Sequence, residues 1–325
     1  MTERVLVTGA AGFIGYALAR HLVDSGAEVV GVDDFSRGAR DQGFEALAAS
    51  EGFEFVEVDL ASSNVSDRLP AGPFDMILHM AALNGTQNFY ERPYAVLRAS
   101  TLPTFSLVER YVVGGQVGRF VYAGSSESYA STVSRFGWSV PTAEDVPLSI
   151  ADPTNPRWSY GVSKLHGEVQ TASACAQYGV DYSVIRYHNV YGPRMGDKHV
   201  IPDFAMRMKE ERYELFGHED TRSFLYIDDA VAATLALARA PGARNQIVNV
   251  GSDREVTIRE LGDMMMRARD LSNDVELHPS PQGSVKRRAP DLTKLRSLID
   301  FRPAVPLEEG VRRTVDWYLD GQDRG

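Results

Sequence analysis

The chain has 325 residues, 43% of them hydrophobic and 24% charged, with a formal net charge of −10. That length supports one large domain or two unequal ones around a full core, and the acidic balance disfavours DNA, RNA or an anionic membrane as partner, because such binding rests on surplus Lys and Arg. The single cysteine, Cys175, excludes an internal disulfide and a multi-cysteine zinc site; no metal site is expected. With no signal-peptide pattern and no apolar run near the ~20 residues of a membrane span, the expected location is the cytoplasm.

Along the first half, VLVTG, EVVGVDD, FEFVEVD, DMILHMAA and RFVYAGSS are short apolar or β-branched runs that end in Gly, Asp or small residues, with helix-like stretches between them. Such alternation predicts an α/β fold, a Rossmann-type doubly wound parallel sheet covered on both faces. The sheet domain is expected over residues 1–190 and a smaller C-terminal α/β domain, mainly substrate-binding, over 191–325. IVNVG at 247–251 reads as a strand that returns to the main sheet. Segments 131–157 and 272–292 read as long loops.

After the first strand, Gly9, Gly12 and Gly15 form G-x-x-G-x-x-G and open a helix at Phe13 and Ile14. Those positions serve a tight turn, close backbone approach to a pyrophosphate, and helix N–H groups aimed at the anion. EVVGVDD ends in Asp33, whose carboxylate suits an adenosine ribose and repels a 2′-phosphate, so NAD is favoured over NADP. Asp59, at the end of FEFVEVD and followed by Leu60, is a second expected contact, to adenine. Tyr160 and Lys164 in YGVSK stand four apart on one helix face. A neighbouring ammonium favours a phenolate and lowers a phenol's pKa by ~1 to 3 units, which would make Tyr160 a usable base.

The chain resembles the extended short-chain dehydrogenase/reductases that modify nucleotide-linked sugars. VTGAAGFIG, VDDFS, HMAA, AGSSESY, YGVSK, RYHNVYGPR, TRSFLYIDDAV, NVGSD and RRAPD occur in that family's order. The resemblance implies a tightly held NAD, with Ala81 of HMAA among its contacts, and a nucleoside-diphosphate sugar in the cleft between domains. It also implies a homodimer formed through helices near 95–113 and 160–178. Ser125 matches the family's catalytic hydroxyl, Tyr160 its base, and Lys164 the residue that lowers the tyrosine pKa and holds the nicotinamide ribose. Asn189 matches a contact to substrate, and Arg222 and Arg288 match arginines that approach the diphosphate or the sugar. The chain departs from the pattern at Ser100 and Pro103, where the family usually has Asn and Gly.

Ser126 and Glu127 narrow the chemistry. Family members that dehydrate a sugar place an Asp-Glu pair after the hydroxyl; here Ser126 stands in the aspartate's place, so a dehydratase is not expected, and Ser126 is assigned to substrate. Glu127 is expected to face substrate as one member of an acid/base pair, with His199 as the second. The leading reading is an NAD-dependent nucleotide-sugar epimerase that works through a transient 4-keto sugar. The alternative is a UDP-glucuronic acid decarboxylase, or another isomerisation that uses the same ketone. From a different class comes an NAD-sensing binding protein without turnover, against which the joint presence of Ser125, Tyr160 and Lys164 argues.

Overall fold

The computed structural model describes residues 2–197, 199–272, 274–280 and 285–321. Six strands, β1 (Arg4–Thr8), β2 (Glu28–Asp33), β3 (Phe53–Glu57), β4 (Phe74–His79), β5 (Val117–Ser125) and β6 (Asp181–Tyr187), join the strand Gln246–Val250 in one sheet. Its order is 246–250, β6, β5, β4, β1, β2, β3, and every pairing is parallel. Successive side chains of a strand point to opposite faces, so a run that is apolar throughout demands cover on both. In β1, Val5 and Val7 join the core that holds Leu18 and Leu22 of helix α1 (Phe13–Asp24), whereas Leu6 joins the one that holds Leu107 and Tyr111.

The strand order reverses at β1, between β2 and β4, which places a crevice at the carboxyl ends of these strands. On one face helix α1 packs against the helix Ile227–Arg239; on the other, the helices Pro93–Leu107 and Ser159–Tyr178 pack against each other. Segment 227–250 therefore returns to the main sheet as a covering helix and an edge strand. Beyond it, the helices Val200–Lys209, Ile258–Arg267 and Leu307–Asp320 and several short strand pairs form a smaller lobe.

The two segments expected to be loops carry some regular structure. The first includes most of the helix Ala130–Phe136, and a single helical turn, Pro156–Trp158, where the Asn155 side chain accepts from Arg157 N. In the second, Glu276–His278 pairs with Glu214–Phe216, and Arg287–Arg288 with Thr221–Ser223. Strands of two or three residues are too short for hydrophobic periodicity to reveal them.

A buried ion pair anchors the helix Ser159–Tyr178 to the sheet. Arg186 of β6 meets Glu168 with Nη2 at 2.7 Å from Oε2 and Nε within 3.1 Å of both carboxylate oxygens. The two side chains are only 3% and 2% exposed. Arg186 Nη1 also donates to Tyr129 Oη at 2.6 Å, which ties the turn after Ser125 to the same pair. Removal of one partner strands a desolvated charge, so Glu168→Gln should cost about 3–5 kcal/mol of stability. Urea unfolding checks this, and a loss under about 1 kcal/mol, the scale of an exposed pair, would show that the pair does not anchor the helix.

Candidate active site

All the candidate site residues line one cleft of about 880 Å³ at the carboxyl ends of the strands. Its floor is the glycine turn. Gly9 has φ +72°, and a Cβ there would stand 3.0 Å from Ala81 N; a Cβ on Gly15 would stand 2.1 Å from Gly9 O. The turn is thus as close to β4 and to its own helix as bare backbone permits, and Gly12 N closes it on Gly9 O at 3.0 Å. Phe13, Ile14 and Leu60 add apolar wall. Asp33 accepts from Ala11 N at 3.1 Å and Phe35 N at 2.8 Å; burial raises its pKa while these N–H groups oppose the rise. Asp59 turns one carboxylate oxygen back to Ala61 N at 2.7 Å. A dinucleotide fits this cradle: the backbone is bare where a pyrophosphate would lie, and a carboxylate stands at the end of β2 where a ribose would come next.

A network not foreseen from the sequence joins β1 to β4 beneath the turn. Thr8 Oγ1 accepts from Met80 N and Ala81 N at 3.1 and 3.2 Å and meets His79 Nδ1 at 2.8 Å. His79 Nε2 lies 3.1 Å from Thr104 Oγ1. Burial, with Lys164 beside it, pushes His79 down to about 3, so the ring is a neutral strut.

Tyr160 is buried, its ring stacked on Phe89 at 5.1 Å and 11°. Ser125, which ends β5, stands beside its phenol and favours the ionised form. Lys164, one helical turn on, donates from Nζ to Ala123 O at 2.8 Å, and Nζ stands 5.7 Å from the Tyr160 ring centroid. Burial raises the phenol above its ordinary value, and the largest opposing influence is the Ser125 hydroxyl, with Arg37 a lesser one. The ammonium is committed to a backbone carbonyl, and burial lowers its own pKa to about 8.

Glu127 is likewise not a free acid/base. Arg157 Nη2 reaches Oε2 at 2.6 Å and Arg288 Nη1 reaches Oε1 at 2.7 Å. Burial alone would raise its pKa, but Arg288 and Arg157 overcome that and hold it at about 2. His199, expected as the second member of that acid/base pair, lines the same cleft. His199 precedes the helix Val200–Lys209, its charged neighbours are Arg37 and Asp197, and burial with Arg37 lowers it to about 4, so it is neutral at pH 7. Asn189, at φ +40°, donates its amide to Ser223 O at 2.9 Å. Ser126 is buried, with Arg288 Nη1 3.5 Å from its hydroxyl. Arg222 donates to Thr221 O at 2.7 Å and lies 3.7 Å from Asp220; burial and the nearby Arg288 lower it to about 10.

Two further arginines line the site beyond those expected from the sequence. Arg157 sits three residues before Tyr160 in a polar loop, where an arginine ordinarily reads as solvated. Arg194, in the YGPR run, has φ +67°. It pairs with Asp41, donates to Ala11 O and Ala39 O at 3.2 and 3.3 Å, and covers the Tyr16 ring at 4.0 Å. It clasps the loop after Tyr191 onto the glycine turn.

Comparison with known proteins agrees with this geometry. Residues 5–251 match the model of the NAD dependent epimerase/dehydratase family. A UDP-glucose 4-epimerase of Mycolicibacterium smegmatis is 32% identical, over 97% of this chain and 98% of that protein. A UDP-N-acetyl-alpha-D-glucosaminuronate decarboxylase of Bacillus cytotoxicus is 29% identical, over 98% and 99%. The crystal structure of a UDP-glucuronic acid 4-epimerase from Bacillus cereus, in complex with UDP-glucuronic acid and NAD, superposes with a TM-score of 0.86 at 25% identity, covering 98% of this chain and 99% of that one. Since both the family match and these likenesses run through the glycine turn and the Ser125–Tyr160–Lys164 group, the chain belongs to the NAD-dependent epimerase/dehydratase family, with NAD as its cofactor.

Proposed function

We propose that the protein is a nucleotide-sugar epimerase that inverts a sugar centre through a transient ketone at C4. The observation that carries this reading is the Tyr160 phenol beside Ser125 at the end of β5, in the same cleft as the glycine turn and the arginines. When bound, NAD would supply the hydride acceptor and later the donor. Tyr160 takes the proton of the C4 hydroxyl, with Ser125 bridging the two by hydrogen bond, and returns it when the ketone is reduced. Lys164 holds the Ala123 carbonyl, and with it the end of β5, in place for this exchange. Gly9, Gly12, Gly15 and Asp33 hold the dinucleotide; Arg222 and Arg288 receive the diphosphate, a task suited to the planar guanidinium.

A hexuronic acid decarboxylase is the second reading. It begins with the same C4 oxidation, and the Glu127–Arg288 pair beside Ser126 together with the Bacillus cytotoxicus relative favours it. For either reading we propose a division in which residues 1–190, with the returning strand, bind NAD and the smaller lobe binds the sugar nucleotide. We assign the enzyme to carbohydrate biosynthesis in the cytoplasm; no helix among the described residues is long and apolar enough to cross a membrane. We also propose a homodimer formed through the helices Pro93–Leu107 and Ser159–Tyr178, supported by Tyr94 and Val169, 77% and 60% exposed on them, with Leu102 and Phe105 also uncovered.

Replacement Tyr160→Phe should lower kcat by about 10²–10⁴-fold, the usual weight of a positioned acid/base, with NAD still bound; undiminished conversion of sugar nucleotide, monitored by NMR, would overturn the C4 scheme. Arg194→Met should release the loop from the glycine turn. NAD is then expected to dissociate about tenfold faster, equivalent to some 1.4 kcal/mol, measured as NAD retained through gel filtration; unaltered retention would mean that the clasp does not hold the cofactor.

A further inference from the structure

We infer that Phe89 is a positioning residue for the proton transfer at C4: its ring fixes the plane of the Tyr160 phenol, and with it the direction in which that phenol exchanges its proton. The inference rests on the reading of Tyr160 as the base and adds the residue that aims it. Phe89 belongs to the short helix Thr86–Glu91, is 3% exposed and lines the cleft.

Its packing is directed at the base. Among the described residues, Phe89 forms with Val96 and Tyr160 an apolar cluster of its own, apart from the two cores that flank the sheet, and Ala82 and Leu83 pack against it. Ala82 and Leu83 follow directly on Ala81 at the end of β4, so the cluster ties the cofactor edge of the cleft to the base. The two rings lie 5.1 Å apart and within 11° of parallel, a stacked pair of the kind worth about 0.5–1.5 kcal/mol beyond its burial.

A phenol directs its proton through its plane. The oxygen lies on the long axis of the ring, so rotation about that axis leaves the oxygen in place. It turns the O–H bond, however, because conjugation holds that bond in the plane of the ring. The terminal torsion of a tyrosine is broad, so the side chain does not choose this plane for itself. A flat neighbour chooses it, whereas an aliphatic one of similar bulk would fill the space and leave the plane undetermined.

The flat neighbour is itself held. Asn88 Nδ2 donates to Asn84 O at 2.8 Å, and Asn88 Oδ1 accepts from Arg92 Nη2 at 2.9 Å, which braces the short helix at both ends. The helix packs against the turn Pro156–Trp158, which leads into Tyr160, and Arg157 Cζ stands 5.5 Å from the centroid of the Phe89 ring. Phe89 thus contacts both the ring of the base and the segment that carries it.

The test uses full-length, NAD-loaded protein in its parent, Phe89→Leu and Phe89→Tyr forms. Leucine keeps apolar bulk and removes the plane; tyrosine keeps both. Phe89→Leu should lower kcat about tenfold, equivalent to some 1.4 kcal/mol and so to the upper end of such a stack, with KM little changed and NAD retained. Phe89→Tyr should restore most of that loss, with conversion of UDP-glucose and UDP-glucuronic acid followed by NMR. An unchanged kcat in Phe89→Leu, a loss confined to KM, or an equal loss in Phe89→Tyr overturns the inference. Selective labelling of tyrosine rings reads the plane without any substrate. The Tyr160 signals, identified by their loss in Tyr160→Phe, should be resolved for the two sides of the ring in the parent and averaged to one set in Phe89→Leu; identical ring signals in these two forms remove the inference. If the parent converts no sugar nucleotide while the averaging is seen, the C4 scheme falls and the hold of Phe89 on the phenol stands. Should Phe89→Leu lose NAD, Phe89→Met, equally apolar and without a plane, is read in its place by the same criteria.

Discussion

The structure depends on one constraint, the common direction of seven strands. Because every strand of the sheet runs the same way, their carboxyl ends lie along one edge, and each strand delivers the residues just beyond its end to the same crevice. β1 brings the glycine turn, β2 brings Asp33, β4 brings Ala81, β5 brings Ser125 to Glu127, and β6 brings Asn189 and Arg194. Parallel strands need long crossovers, so residues that meet in the cleft are separated by tens to hundreds of positions. A single slipped register would turn these groups to the other face of the sheet. The buried Glu168–Arg186 pair and the Thr8–His79–Thr104 strut fix neighbouring elements where such a slip would be most damaging.

Electrostatics in the cleft is set by which influence wins at each group. Tyr160 and Glu127 are both buried acids, and desolvation works against both charged forms. For Glu127, two arginines in direct contact overcome it. For Tyr160, a neutral hydroxyl does not, and the phenol stays protonated. One carboxylate is thus held ionised by its arginines in the same cleft as a phenol that burial keeps neutral.

In the smaller lobe, Thr221–Ser223 and Arg287–Arg288 are strands of two or three residues that bring Arg222 and Arg288 to the cleft. Arg194 clasps the loop after Tyr191 to the glycine turn and so links the two sides of the cleft.

From the sequence alone the alternation of apolar runs, the glycine spacing after β1, Asp33, and the Tyr160–Lys164 repeat were legible, since each depends on local periodicity or on a backbone need that few residue types meet. The strand at Gln246–Val250 was legible as well, as a bounded β-branched run. Partners that meet across the chain were not legible. That Glu127 is held by Arg157 and Arg288, 30 and 161 positions away, is invisible to any window, and so is the bond from Lys164 to Ala123 O. Local pattern determines which elements form and where backbone can bend, because those energies are settled within a few residues. Tertiary structure alone decided the charge state of each buried group, because desolvation and ion pairing exist only once distant segments have closed around it.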